Sequence, residues 1–133
     1  MGKIRILIAD SHENVRTQLV ARLQREPEFE IVGQAANSGQ TLHSALVDHP
    51  DIILIDPVMW DGFGIANLRH IIAQLPDTQV VVLTAYADTS LRMSLRRMGV
   101  KEILTKGIAS EELVEILRSL GAKKVNSSKQ RHP

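Results

Sequence analysis

The sequence predicts an α/β fold: a three-layer, doubly wound arrangement of five strand–helix units around a parallel five-stranded sheet. Two observations carry this. First, Ile52-Ile53-Leu54-Ile55 and Val80-Val81-Val82-Leu83 are four-residue aliphatic runs that end abruptly in Asp56 and Thr84. Each is too short for an ordinary helix and rich in β-branched residues, which fits strands covered on both faces. Second, strand-like and helix-like segments alternate five times with short connections, the pattern of a parallel sheet with helices on both sides. Right-handed crossovers leave few strand orders. Order 2-1-3-4-5 is one of the two common ones, and it places ligands at the carboxyl ends of strands 1 and 3.

The elements follow in order. Residues 4–9 are apolar except for Arg5 and form the first strand, closed by Asp10-Ser11-His12. Val15, Leu19 and Leu23 repeat at helical spacing, and Pro27 closes that region. Residues 30–36 form the second strand. Asn37-Ser38-Gly39 turns the chain, with Ser38 as N-cap of a helix carrying Leu42, Ala45 and Leu46. His49-Pro50 ends it, because a residue before proline avoids helical geometry. After the strand 52–55 comes a loop, 57–64, containing the turn dipeptide Asp61-Gly62. Ile65, Leu68 and Ile72 mark a third helix that stops near Pro76, and residues 79–84 form the fourth strand. Asp88 caps a helix with Leu91, Leu95 and Met98 on one face, and Gly99 is its C′ residue. Residues 102–105 make a short fifth strand before Lys106-Gly107. Ser110 caps the last helix, where Glu111 and Glu112 favour the helix dipole ahead of Leu113, Ile116, Leu117 and Leu120. The folded domain is expected over residues 3–121. Residues 122–133 are polar and without period, a tail or linker expected to be disordered.

Composition narrows the function. A chain of 133 residues suits one domain with one core. Net charge is +1, so the overall balance gives no support for binding nucleic acid or an anionic membrane. There is no cysteine, which removes disulfides, zinc–thiolate sites and thiol catalysis. The amino terminus enters the first strand directly, which leaves no room for a signal peptide, and no apolar run approaches the ~20 residues needed to cross a bilayer. With two Phe, one Trp and one Tyr, the core must be aliphatic and base-stacking surfaces are not expected. No glycine loop matches a phosphate-cradling fingerprint, which counts against a small hydrolase or mononucleotide-binding protein.

Read alone, Asp56 is either a turn cap or a site carboxylate at the edge of a rigid core. Its neighbours bear on the choice. Four strands that would be consecutive in the sheet end in Asp10-Ser11, Asp56, Thr84 and Lys106, so these polar residues must meet in one small area. A lysine gains nothing by ending a buried strand. The set Ile8-Ala9-Asp10-Ser11-His12, Ile53-Leu54-Ile55-Asp56, Val82-Leu83-Thr84-Ala85-Tyr86 and Leu104-Thr105-Lys106 resembles the response-regulator receiver domains of two-component signalling. So does the segment Arg97-Met98-Gly99-Val100. The resemblance runs from about residue 3 to 120 and implies a flavodoxin-like fold. Lysine without a following proline is the form seen in receivers that precede helix-turn-helix output domains.

The resemblance implies roles. Asp56 would be the phosphoacceptor, attacking a phosphohistidine on a histidine kinase or phosphotransfer protein. Asp10, Asp56 and the Val58 backbone carbonyl would hold Mg²⁺, with Ser11 a poor further ligand. Lys106 would pair with phosphoryl oxygens and offset repulsion between Asp10 and Asp56, and Thr84 would hydrogen-bond the phosphoryl group. His12 is expected only as a surface or capping-region residue. An output domain or partner protein would bind the face formed by helix 4, strand 5 and helix 5, where Arg92, Arg96 and Arg97 supply positive charge; a homodimer is an open state. The implied location is the cytoplasm. No turnover of an external substrate, no membrane contact and no direct nucleic-acid contact by this chain are expected.

Three departures from the family pattern stand out. The family has two acids at the end of strand 1, and the second, the direct metal ligand, is here Ser11. Weaker Mg²⁺ binding follows, and a pseudo-receiver that binds partners without efficient phosphotransfer is the alternative reading. The loop after Asp56 is shorter, with Pro57 directly behind the acid, and Ile103 stands where the family carries an aromatic switch residue. Trp60, four residues beyond Asp56, is expected to report cation binding by fluorescence.

Overall fold

The computed structural model describes residues 2–59 and 62–131; at 62–63 and 123–131 it describes the backbone alone. The elements are β1 (Ile4–Ala9), α1 (Glu13–Gln24), β2 (Phe29–Ala35), α2 (Ser38–Asp48), β3 (Ile52–Ile55), β4 (Val58–Met59), β5 (Gly62–Phe63), α3 (Ile65–Gln74), β6 (Gln79–Thr84), α4 (Thr89–Met98), β7 (Glu102–Thr105) and α5 (Ser110–Arg131). Five strands form one parallel sheet in the order β2-β1-β3-β6-β7. That is the expected 2-1-3-4-5 order once the small antiparallel pair β4–β5 is set aside.

Alternation along each strand builds two cores. Ile53 and Ile55, with Leu7, Val80 and Val82, face Ala45, Leu68, Ile71 and Leu95 of α2, α3 and α4. Ile52 and Leu54, with Ile6, Ile8, Val81 and Leu83, face Val20 and Leu23 of α1 and Leu113, Val114 and Leu117 of α5. This explains why β3 is apolar at every position: both of its faces are covered.

Helix ends follow local chemistry. Asn37, not Ser38, is the N-cap of α2, its side chain accepting from the Gln40 amide at 2.8 Å, and His49 closes the helix at φ 47°. Asparagine tops the N-cap preference scale and sits where the backbone is still extended, so Ser38 is pushed into the first turn. Asp88 caps α4 through the Leu91 amide at 2.8 Å, and Gly99 takes φ 104° as expected. Ser110 begins α5 as a helical residue, and its hydroxyl accepts from Arg22 Nε at 3.2 Å. In α1 the deeply buried residues are Val20 and Leu23, while Val15 and Leu19 stay half-buried beside a cleft.

Two further expectations are corrected. Residues 57–64 are not a plain loop: they contain the β4–β5 hairpin, whose two-residue strands are too short to show a period in sequence. Trp60 and Asp61, the reporter and part of the turn dipeptide, lie outside the described residues. Through residue 131 the α5 backbone continues as helix, where a tail without period was expected from 122; residues 132–133 lie outside the described residues. No proline interrupts the helix before Pro133, and extending a nucleated helix costs far less than starting one.

Gly121 sits inside α5, where a Cβ would collide with Cδ1, Cγ1 and Cγ2 of Ile4. Gly121→Ala gains ~1 kcal/mol of helix propensity. Overpacking a branched, buried neighbour costs about 1–3 kcal/mol. The variant should therefore show a lower urea midpoint; a raised midpoint would mean that Ile4 moves aside freely.

Candidate functional site

The site lies at the carboxyl ends of β1, β3, β6 and β7, and each key residue is fixed there by the sheet itself. The Asp10 amide donates to the Ala35 carbonyl of β2 at 3.0 Å, the Asp56 amide to the Ala9 carbonyl of β1 at 2.9 Å, and the Lys106 amide to the Thr84 carbonyl of β6 at 3.0 Å. The ladder thus continues one residue past each strand, so these side chains inherit the rigidity of the core. Arg16 on α1 adds a hydrogen bond to the Asp10 carbonyl at 2.7 Å.

Lys106 Nζ bridges the two acids, 2.7 Å from Asp56 Oδ2 and 2.9 Å from Asp10 Oδ2. Asp10 and Asp56 are 2% and 4% exposed, so two carboxylates are held almost without solvent and a cation between them is required. Burial alone pulls the Lys106 ammonium down. The hydrogen bonds and charges of Asp56 and Asp10 outweigh it and leave the lysine pKa above its ordinary value. Lys106 is therefore charged throughout the neutral range.

The remaining oxygens are engaged as well. Asp56 Oδ1 accepts from the Val58 amide at 3.0 Å, a local turn that Pro57 helps set. The Gly64 amide donates to the Pro57 carbonyl at 2.8 Å, which makes that pair a hydrogen-bonded rung of the hairpin. Rungs alternate, so Val58, opposite Phe63, belongs to a non-bonded pair.

Asp10, Asp56 and Lys106 are thus brought together as expected. Thr84 is buried at the end of the neighbouring strand, but its hydroxyl donates to the Tyr86 carbonyl over a long 3.4 Å. Ser11 is buried beside Asp10. Ile103 is buried in the sheet core, and Tyr86 is 74% exposed and does not take the place of an inward aromatic ring. Arg96 and Arg97 are exposed on α4, whereas Arg92 turns back to the Ala87 carbonyl at 3.1 Å.

His12 is the site residue that the sequence reading missed. It occupies the N-cap position of α1 as a capping-region residue would. Its amide and its ring Nδ1 both meet Asp10 Oδ1, at 2.8 and 2.9 Å. Asp10, His12 and Asp56 each offer one ligand atom within 4.8 Å of the others, a grouping that could hold a metal ion. The signal was the Asp-x-His spacing at a strand end, where a side chain two residues on can fold back on the acid. The buried carboxylate oxygens of Asp10 and Asp56 fit a small hard dication.

Comparison with known proteins agrees with this arrangement. Residues 6–118 match the family described as the response regulator receiver domain. The transcriptional regulatory protein LiaR of Bacillus subtilis is 32% identical over 116 residues, an overlap covering 87% of this chain and 55% of LiaR. The transcriptional activator DevR/DosR of Mycobacterium tuberculosis is 28% identical over 119 residues, covering 90% of this chain and 55% of the relative. The chain thus spans about half the length of the curated relatives it matches. In fold, it superposes on a receiver domain protein from Methanospirillum hungatei with a TM-score of 0.86, covering 96% of this chain and 99% of the other at 21% identity. Sheet order, the clustered strand ends and the match over most of the chain agree: this chain belongs to the response regulator receiver domain family.

Proposed function

We propose that this receiver accepts a phosphoryl group on Asp56 from a histidine kinase or phosphotransfer protein in the cytoplasm, and passes the signal on through the α4–β7–α5 face. One observation carries the reading: Lys106 Nζ joins Asp56 Oδ2 to Asp10 Oδ2 in a buried pocket. A carboxylate oxygen of Asp56 attacks phosphorus, the phosphorus–nitrogen bond of phosphohistidine breaks, and the imidazole leaves with the bonding pair. The product is an acyl phosphate on Asp56. Lys106, already paired with Asp56, would follow the negative charge from the carboxylate onto the phosphoryl oxygens. The Thr84 hydroxyl, buried at the end of the neighbouring strand, would exchange its long bond to the Tyr86 carbonyl for one to the same group.

Receiver domains generally bind Mg²⁺ at such an acidic pocket, and here Asp10, Asp56 and the Val58 carbonyl would hold it. When bound, it neutralises charge on the transferring group. Ser11 supplies no charge, so its affinity should be low. The exposed Arg96 and Arg97 suit an acidic partner surface.

Intact-mass measurement after incubation with a small phosphodonor and Mg²⁺ tests the proposal. The expected result is one phosphoryl adduct, absent in Asp56→Asn. No adduct at any Mg²⁺ concentration would sink phosphotransfer and favour a partner-binding module.

A further inference from the structure

The loss of the acid at Ser11 and the position of His12 belong together. At the end of β1 the chain offers Asp10, then an uncharged hydroxyl, then an imidazole whose Nδ1 is 2.9 Å from Asp10 Oδ1. The ring is held there by the backbone as well, because the His12 amide bonds the same oxygen at 2.8 Å. One ligand atom each from Asp10, His12 and Asp56 lies within 4.8 Å of the other two. Both acids are buried, while His12 stands at the rim with its side chain 55% exposed, so a cation arriving from solvent meets the imidazole first.

The geometry points to Asp10, His12 and Asp56 as a mixed nitrogen–oxygen centre that binds a borderline transition dication such as Co²⁺ in preference to Mg²⁺. This rests on the reading above that Asp10 and Asp56 hold a divalent cation. Carboxylates and carbonyls suit hard ions such as Mg²⁺, whereas imidazole suits the later first-row metals, whose affinity rises along the series beyond Mn²⁺. A receiver site with two acids on strand 1 is an all-oxygen set. Here one of those oxygens is lost and a nitrogen stands at the same edge. The Nδ1–Asp10 contact opens and any proton on that nitrogen leaves to solvent as the ring turns to the metal. Mg²⁺ keeps water in that place, so it gains little from His12.

Calorimetric titration of the metal-free full chain with Co²⁺ and with Mg²⁺ tests this, alongside the visible absorption of bound Co²⁺. The wild type should bind Co²⁺ at least about 100-fold tighter than Mg²⁺. His12→Asn, which keeps a good N-cap residue, should lose roughly 10–100-fold in Co²⁺ affinity and shift the Co²⁺ band. Its Mg²⁺ affinity should change less than about 3-fold. His12→Gln should behave alike, which guards against a local folding defect. Asp56→Asn should weaken both ions, placing the bound Co²⁺ at this site rather than at another histidine. Unchanged Co²⁺ affinity in His12→Asn, or equal losses for both ions, overturns the proposal. Unchanged Co²⁺ affinity in Asp56→Asn does so too.

Adduct formation is scored separately by intact mass. An adduct with no effect of His12 on Co²⁺ binding refutes the mixed centre and keeps the phosphoacceptor. His12-dependent Co²⁺ binding with no adduct under either metal does the reverse.

Discussion

Lys106→Met should lower the stability of the metal-free protein by about 2 kcal/mol. Removing one partner of a fully buried ion pair costs about 3–5 kcal/mol, and partial exposure of the lysine reduces that. The ammonium is 18% exposed at its side chain, while the acids it bridges are 3% and 4% exposed at theirs. Without it, Asp10 and Asp56 face each other with no cation between them. Two further consequences separate this account from a packing defect. Mg²⁺ should stabilise Lys106→Met more than wild type, because a dication restores the missing charge and the ammonium no longer competes for the same oxygens. Phosphoryl uptake should still fall by roughly 10–100-fold, since a charge-assisted hydrogen bond to the phosphoryl group is worth about 1.5–3 kcal/mol. Chemical denaturation with and without Mg²⁺, together with timed intact-mass measurements, checks all three.

The pH dependence follows from the raised lysine pKa. A group raised in the folded state stabilises fully below its unfolded value, here 10.5, and the contribution is lost as pH climbs through the folded value. The stability gap between wild type and Lys106→Met should therefore stay level from neutral pH to about 10 and close only above that. A gap that closes between pH 6 and 8 would contradict the bridge.

Ser11→Asp should tighten Mg²⁺ binding by about 10–100-fold. A unit charge pair at ~4 Å is worth about 4 kcal/mol at an effective dielectric of 20, and retained water around Mg²⁺ absorbs a large part of the doubled figure for a dication. The same substitution adds a further acid to a pocket that already buries two. In chelator the variant should be less stable than wild type by about 1 kcal/mol, the like-charge cost at a partly screened site. It should recover that loss on adding Mg²⁺. A paired thermal-melt series, chelator against Mg²⁺, reads both signs at once. Equal Mg²⁺ affinity in the two proteins would show that Ser11 is not the reason for weak binding.

Much of this protein was legible in the chain. The bounds of β1, β3 and β6 agree with the aliphatic runs because strands covered on both faces leave continuous hydrophobic stretches. Caps with specific chemistry, Asp88 and Gly99, were equally plain. What stayed hidden was short or shared. The β4–β5 hairpin has two residues per strand, below any periodic signal. Asn37 and Ser38 are adjacent residues of cap-forming type, and the extended backbone at Asn37 together with its side-chain bond to the Gln40 amide separates them. The helical run past Ala122 lacks an apolar stripe, so its continuity comes from propagation, not from a pattern.

At the site the division is sharper. Hydrophobic periodicity and strand order were enough to place Asp10, Asp56, Thr84 and Lys106 at one end of one sheet, because strand ends are a property of the pattern along the chain. Side-chain direction is not such a property. That Lys106 spans both acids, that Thr84 turns to the Tyr86 carbonyl, and that the His12 ring folds back onto Asp10 are contacts made across strands and turns. They depend on rotamers chosen by burial and charge once the sheet has closed. The sequence by itself determined a receiver with an acid at the end of β3. The tertiary structure decided which groups surround that acid and its neighbour Asp10, because in a pocket this dry each carboxylate oxygen must take the nearest donor: Lys106 and the Val58 amide for Asp56, Lys106 and His12 for Asp10.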